Sequence, residues 1–332
     1  MLRDEILALL RSAGGAYRSG GEMSAALGVS RAAVWKVAEA LRQEGYQISS
    51  APNRGYRLDE VPDHLNAADL QALLPDTCSL GRHLFCLDSV DSTNNECKRM
   101  AANGAPEGTI VIANQQTGGR GRNGRSFLSP ADAGLYLSVL LRPSLLPAEA
   151  VNLTAWTAVA VCSAIERACP ALHPAIKWPN DVLLDGKKLC GILTEMGIEG
   201  ETGRLEYVVI GIGINLRSTM LQIDASLSDK ATSLEAALGT PPRRDVLTAS
   251  LIQSLDALLQ DFPSKGSVYW PAYQARCVTL HRPVSVLRPG AAPRVGTAVD
   301  IDRQFRLLVD FGSGPEPVES GEVSVRGLLG YL

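Results

Sequence analysis

The sequence predicts an α+β protein built in three parts, and three observations carry that prediction. Residues up to about Leu58 read as three helices followed by a short strand hairpin. From Leu84 onward strands and helices are interspersed, the signature of a mixed α/β domain. Beyond Arg282 only short β-branched runs remain, separated by Gly and Pro, which marks a small all-β module. Boundaries at the Pro-containing stretch Asp59 to Asp63 and near residue 275 divide the chain into 1–62, 63–275 and 276–332. A length of 332 residues suits two or three domains at about 150 residues each.

Hydrophobic residues make up 45% and charged residues 20%, which fits a globular chain and excludes a disordered one. The net charge of -3 excludes a globally basic surface, so any polyanion binding must come from a local cluster. Seven cysteines with no C-x-x-C pair predict free thiols rather than zinc ligands or a redox dithiol. Met1 opens a charged helical pattern instead of a secretory leader, and the longest uncharged apolar stretch, Ala150 to Ile165, is shorter than the ~20 residues that span a bilayer. The expected address is the cytoplasm, with no membrane contact.

Within the first part, Met23 to Leu27 is a short helix, Gly28 a turn, Val29 a buried residue and Ser30 an N-cap for the next helix. This is the pattern of a helix-turn-helix. Val34, Val37, Ala38 and Leu41 fall at helical spacing and turn inward, while Ala32 and Lys36 face out. Trp35 flanks the inward face, where packing is its expected role. Tyr46 to Ser49, the turn Pro52 to Gly55, and Tyr56 to Leu58 form a two-stranded wing with Arg54 at its tip. From Arg18 to Arg57 six basic residues face three acidic ones, a local balance of +3. Ser30, Arg31, Ala32, Trp35, Lys36 and Arg54 are therefore the candidate DNA contacts, with small and basic groups suited to a major groove. The modest charge implies a dimer reading two half-sites. A winged helix used only for protein contacts is the alternative.

The run Gln116 to Arg125 packs three arginines and four glycines into ten residues with no acid. Glycines let backbone N–H groups approach an anion, and arginines supply planar donors for carboxylate or phosphate. Gly119, Gly121 and Gly124 satisfy G-x-G-x-x-G, but no helix opens directly after them, which excludes a dinucleotide turn; no Walker A sequence is present either. Downstream, Lys177 to Asp181 places a cation, an amide and a carboxylate around a fixed turn. Lys188 then precedes Gly191, and Gly211 to Asn215 ends another strand with glycines and an amide. Read alone, Lys188 is a solvated turn lysine, and Gly211 to Asn215 a tightly packed strand.

Ser92-Thr93-Asn94, Gln116 to Arg125, Lys177 to Asp181, Lys188 to Glu195 and Gly211 to Asn215 together resemble the biotin-protein ligase family, in the same order and at compatible spacing. With the upstream helix-turn-helix, the likeness extends to the bifunctional biotin ligases that also act as biotin operon repressors. It implies a class II synthetase-like central domain and a C-terminal SH3-like β-barrel. It implies ATP and biotin as substrates, Mg2+ with the ATP, and two steps: biotin is adenylated with release of pyrophosphate, then passed to a lysine of a biotin carboxyl carrier protein.

By the same resemblance, Ser92, Thr93, Asn94, Gln116, Gly119, Arg120, Gly121, Arg122, Lys188 and Gly191 bind biotin, with Lys188, Arg122 and Arg120 catalytic through charge and positioning. Arg125, Asn180, Asp181 and Asn215 serve ATP. Operator DNA and a homodimer promoted by biotinyl-adenylate complete the expected partners. Phe127 stands where many members have Trp, and Cys190 where Ala is usual. No Trp lies between Trp178 and Trp270 to stack on adenine from the intervening loop. A lipoate-protein ligase and a catalytically inactive biotin-sensing repressor are the competing readings.

Overall fold

The computed structural model describes residues 2–63, 65–219, 223–224, 227–264, 266–288, 290–320 and 324–327. These fall into two compact units, residues 1–75 and 76–332.

The first unit begins with α1 (Leu2–Ser12), α2 (Gly20–Leu27) and α3 (Arg31–Gln43). Gly28 closes α2 in the left-handed conformation, and the Ser30 side chain accepts from Ala33 N to open α3. Ile6, Leu7 and Leu10 of α1 pack with Met23, Val34 and Leu41 in one core. The wing is the antiparallel pair β1 (Gln47–Ala51) and β2 (Gly55–Glu60). Gly55 has φ 96°, and a Cβ there would lie 1.9 Å from the Arg18 carbonyl oxygen, so only glycine fits this turn.

The unit does not stop at residue 62, where the sequence places the boundary. A further helix, α4 (Ala67–Gln71), belongs to it, because the buried Asp69 carboxylate accepts from the Tyr46 hydroxyl and lies near Arg3 and Arg11 of α1. A carboxylate with these partners ties the segment after the wing to the wing's own core.

The second unit is organised on a seven-stranded mixed sheet. Its strands are β3 (Leu84–Val90), β4 (Ile110–Gln116), β5 (Gly134–Leu141), β6 (Ala175–Lys177), β7 (Asp181–Leu184), β8 (Lys187–Ile198) and β9 (Leu205–Asn215), in the order β3-β4-β5-β9-β8-β7-β6. Only β3 and β4 are parallel. Helix α5 (Thr93–Ala102) packs on β4, β5 and β9, and α7 (Leu153–Ala168), which follows the short α6 (Pro147–Ala150), packs on β6 to β8 and on the helix Arg244–Asp261. Glu195 of β8 bonds to Asn94 of α5, whereas its neighbour Thr194 bonds to Thr154 of α7. Adjacent strand residues point to opposite faces, so α5 and α7 cover opposite sides of the sheet.

The segment Pro147–Ala168 is long and apolar enough to cross a membrane, but two thirds of it is buried inside the unit, as in a core helix.

The closing strands Pro283–Leu287, Arg294–Ile301, Leu307–Asp310, Pro315–Val318 and Ser324–Gly327 form a five-stranded antiparallel sheet, the fifth strand at the edge beside the first. The sequence also expects a strand over Glu322 to Val325, of which Glu322 and Val323 lie outside the described residues. This sheet and the seven-stranded sheet lie in the same compact unit, with no division at residue 275. Trp178 donates from its backbone to Thr279 Oγ1 at 3.0 Å and from its indole to the Phe305 carbonyl at 2.9 Å, binding the two sheets into one unit.

Candidate active site and nucleic-acid interface

The face of the large sheet that carries α5 is opened by missing side chains. Gly191 of β8 pairs with Gly213 of β9, and Gly211 lies two residues earlier on β9, on the same face. A Cβ at Gly211 would lie 2.2 Å from Asn94 Oδ1, and one at Gly213 would lie 2.5 Å from the Phe127 ring. At Gly191 the nearest atoms would be Lys188 Cε and Nζ, both at 3.2 Å. The glycines therefore let Asn94, Phe127 and Lys188 lie against the sheet and frame a cleft open to solvent.

One end of the cleft is a polar cluster. Ser92, Thr93 and Asn94, at the start of α5, are all buried. Gln116 Oε1 accepts from the Thr93 backbone at 2.9 Å and from its hydroxyl at 3.1 Å, while Gln116 Nε2 donates to Ser129 Oγ at 2.8 Å. Ser138 Oγ lies 2.7 Å from Thr93 Oγ1 and 2.6 Å from Asn94 Oδ1. Asn94 Nδ2 is committed to Glu195 at 2.8 Å and to the Leu193 carbonyl at 3.3 Å, so any ligand bond made by Asn94 must go to Oδ1.

The other end is cationic. Lys188 Nζ is 2.6 Å from Asp181 Oδ1. Arg122 Nη1 donates to Asn180 Oδ1 at 3.2 Å, and Nη2 to the Ser320 carbonyl. Burial pulls the Arg122 guanidinium below its usual pKa, against the opposing pull of Asp181. Between the two ends, the glycine-arginine loop turns at Asn123 and Gly124, both at positive φ, and Phe127 N donates back to the Gly119 carbonyl at 2.9 Å. A Cβ at Gly119 would strike the Phe127 carbonyl at 2.3 Å, so Gly119 shapes the loop.

Of the residues assigned from sequence, Ser92, Thr93, Asn94, Gln116, Arg120, Gly121, Arg122, Asn180, Lys188 and Gly191 line this cleft. Gly119, Arg125, Asp181 and Asn215 do not. Arg120 is half exposed and directs Nη1 to Asn95 Oδ1 at 3.3 Å, with Glu195 at 3.8 Å. Arg125 is exposed. Asn215 is buried, donates to the carbonyls of Lys188 and Thr232, and leaves Oδ1 with no hydrogen-bond partner.

Sequence reasoning missed Ser138, Ser129 and Glu195 as supports of the polar end. It also treated Phe127 as a mere substitution, whereas it walls the cleft. Cys190 is fully buried and burial pushes its thiol up, which makes it inert.

On the first unit, Arg31, Ala32, Trp35 and Lys36 lie exposed along α3, behind the Ser30 cap. The guanidinium carbons of Arg54 and Arg57 lie over the Tyr17 ring at 4.4 and 4.9 Å. Trp35 is 56% exposed and does not pack inward as its position beside Val34 suggests; Val34, Ala38 and Leu41 fill that side of the helix.

A cleft with hydrogen-bonding groups at one end and part-buried cations at the other, on a chain that also carries a winged helix, defines a DNA-binding protein fused to an enzyme that activates a carboxylate. Residues 86–215 match the Biotin/lipoate A/B protein ligase family, and residues 3–57 match an HTH domain. The chain is similar to the bifunctional ligase/repressor BirA of Bacillus subtilis, 36% identical over 98% of both chains, and to that of Escherichia coli, 33% identical over 97% of this chain and 96% of that one. The structure of biotin protein ligase from Aquifex aeolicus in complex with biotin and ATP matches 74% of this chain and 99% of its own, with a TM-score of 0.62 and 29% identity. With near-complete coverage at this identity, the chain belongs to the bifunctional biotin ligase/repressor family.

Proposed function

We propose that this chain is an ATP-dependent biotin-protein ligase and a biotin-responsive transcriptional repressor. The observation that carries the ligase reading is the meeting of residues from three separated sequence motifs, Thr93 and Gln116 at one end of the cleft and Arg122 and Lys188 at the other. The polar end suits the ureido head of biotin, which both donates and accepts. The cationic end suits its carboxylate and the α-phosphate of ATP.

In the first step the carboxylate oxygen attacks the α-phosphorus and pyrophosphate leaves. In the second the neutral amine of a carrier lysine attacks the acyl carbon and AMP leaves. No side chain forms a covalent bond. Lys188 and Arg122 stabilise charge that builds on the phosphoryl oxygens, and the glycine-arginine loop covers the adenylate from water. Asn215, with a buried Oδ1 to offer, supports the nucleotide together with Asn180, Asp181 and Arg125.

Among the described residues no three His, Cys, Asp or Glu side chains cluster to hold a metal ion, and Asp181 is committed to Lys188. The residues do not build a resident Mg2+ site; magnesium would arrive as part of the nucleotide substrate.

Biotin-dependent exchange of labelled pyrophosphate into ATP tests the reading. Exchange with biotin supports it, exchange with lipoate in its place moves the chain to the lipoate ligases, and no exchange by folded protein leaves a sensor repressor. A biotin carboxyl carrier domain is the acceptor and operator DNA the nucleic-acid partner. The first unit, residues 1–75, is read as the DNA head, the seven-stranded sheet with its helices as the ligase domain and the closing five-stranded sheet as the SH3-like domain, in a cytoplasmic protein. Bound adenylate promotes the homodimer that two half-sites require. Sedimentation showing the same monomer fraction with and without adenylate would refute that coupling.

A further inference from the structure

Among the described residues of the first unit, Trp35 is the one large apolar side chain left exposed. An indole in water forgoes the stabilisation that burial would give, and this one stands among cations instead of against the core. It stands one turn beyond Arg31 at i+4, on the same side of α3, with Ala32 and Lys36 beside it.

The surroundings state the partner's charge. A Cβ at Gly21 would lie 2.8 Å from Arg31 Nη2, and one at Gly20 would lie 3.3 Å from the Tyr56 ring of the wing. Arg31 and the wing therefore flank the same N-terminus of α2, and the wing adds Arg54 and Arg57, both held over Tyr17. A polyanion matches this surface. A second copy of the chain would set like charges together.

We propose that Trp35 is the residue through which this head reads sequence, its indole lying across thymine C5-methyl groups in the major groove while Arg31, Lys36 and Arg54 hold phosphates. The inference rests on the DNA-binding reading above and adds the chemical feature that is read. Of the base edges in the major groove, the thymine methyl is the apolar one, and an indole has a broad apolar face with a single N–H donor. It cannot make the bidentate contacts by which Arg reads guanine or Asn reads adenine. Ala32 and Ala33 are too short to compete for the same position.

The test uses the full-length chain with biotin and ATP, and a pool of random-sequence DNA duplexes. Wild-type protein should enrich duplexes with thymines at fixed positions, and replacing those thymines by deoxyuridine, which lacks only the methyl, should weaken binding about fourfold per contacted methyl. Trp35→Ala should lose that response and much of the discrimination while still binding duplex in a salt-dependent manner. Trp35→Phe, which keeps a ring, should retain part of the response, and thermal melting of both variants reports that the head is folded. Arg54→Ala should weaken all sequences alike and reduce the salt slope by about one. Wild-type indifference to deoxyuridine, or an equal response in Trp35→Ala, overturns the proposal. Absence of salt-dependent duplex binding by the wild type overturns the DNA-binding reading itself.

Discussion

The Glu195 carboxylate accepts a hydrogen bond from Asn94 Nδ2 at 2.8 Å, and through that bond it fixes which way the Asn94 amide faces the cleft. Its other oxygen lies 2.9 Å from Lys98 Nζ and 3.8 Å from Arg120 Nη1. Glu195 thus joins the polar end of the cleft to the glycine-arginine loop. Glu195→Gln can keep a bond to Asn94 but removes the charge that holds Lys98 and Arg120. The expected result is a biotin KM raised about tenfold with kcat nearly constant, the pattern of lost ground-state binding. Equal loss in kcat would assign Glu195 to the chemical step.

The same group sets a pH dependence. Burial pushes the Glu195 carboxyl up, but hydrogen bonds from Lys98 and Asn94 and the charges of Lys98 and Arg120 outweigh it and hold the pKa below the usual carboxylate range. A depressed pKa gives support that is complete above about pH 4.3, the ordinary glutamate value, and is lost as pH falls through the lowered one. Biotin affinity of the wild type should therefore show no Glu195-dependent fall between pH 8 and 5, measured by calorimetry. A drop in that window that disappears in Glu195→Gln would contradict this.

Lys188 stands 2.6 Å from Asp181 in a half-buried pair, so its ammonium is already oriented at the cationic end before any ligand arrives. Lys188→Ala should lower pyrophosphate exchange about 10²- to 10³-fold, the scale on which a single oriented donor acts in a transition state. Lys188→Arg, which keeps the charge but not the shape, should fall between the two. Wild-type exchange by Lys188→Ala would remove Lys188 from the mechanism.

Much of this site was legible because its chemistry is written in unusual local composition. Arginines among glycines at 116–125 and a lysine three residues before Gly191 both signal close approach by an anion. What stayed hidden depends on partners brought together only by the sheet. Ser138 lies in β5, a strand buried along its whole length, where a serine reads as filler until Asn94 and Thr93 are seen above it. The boundary at residue 62 failed for a similar reason, since nothing in the local pattern of Ala67–Gln71 reveals that Asp69 reaches back to Tyr46. Trp35 was misplaced because it adjoins Val34, and a residue at the edge of an apolar stripe can turn either way.

Gly211 tests whether open sheet surface is a requirement of the site. Its backbone is pinned on both sides by pairing with Ser138 and Leu193, so it cannot retreat, and an added methyl would meet Asn94 Oδ1 at 2.2 Å. Gly211→Ala must displace Asn94 from Glu195 or distort the sheet, at a cost of about 1–3 kcal/mol for overpacking. Biotin affinity should fall at least about tenfold by calorimetry, with a lower melting temperature. Full affinity and stability would show that Asn94 has room the geometry denies.

Tyr46 gives the first unit an alkaline limit. Its hydroxyl donates to the Asp69 carboxylate, which also accepts from Asn66 Nδ2 at 2.5 Å. Burial, reinforced by Asp69, pushes the phenol up to about 12. Folding therefore binds the phenol proton more tightly than the unfolded chain does. The contribution is complete below about pH 10, the unfolded value, and disappears as pH rises through about 12. Tyr46→Phe removes the donor and leaves Asp69 buried with one partner fewer, which should cost about 1–3 kcal/mol at pH 8. Amide hydrogen exchange in α1 and α3, followed at pH 8 for both proteins, reads that loss directly. Circular dichroism from pH 9 to 12 should then show the wild type losing stability over the range in which Tyr46→Phe, already weakened, lacks this particular decline. Equal protection of the two proteins at pH 8 would mean that the Arg3 and Arg11 guanidiniums satisfy Asp69 without the phenol.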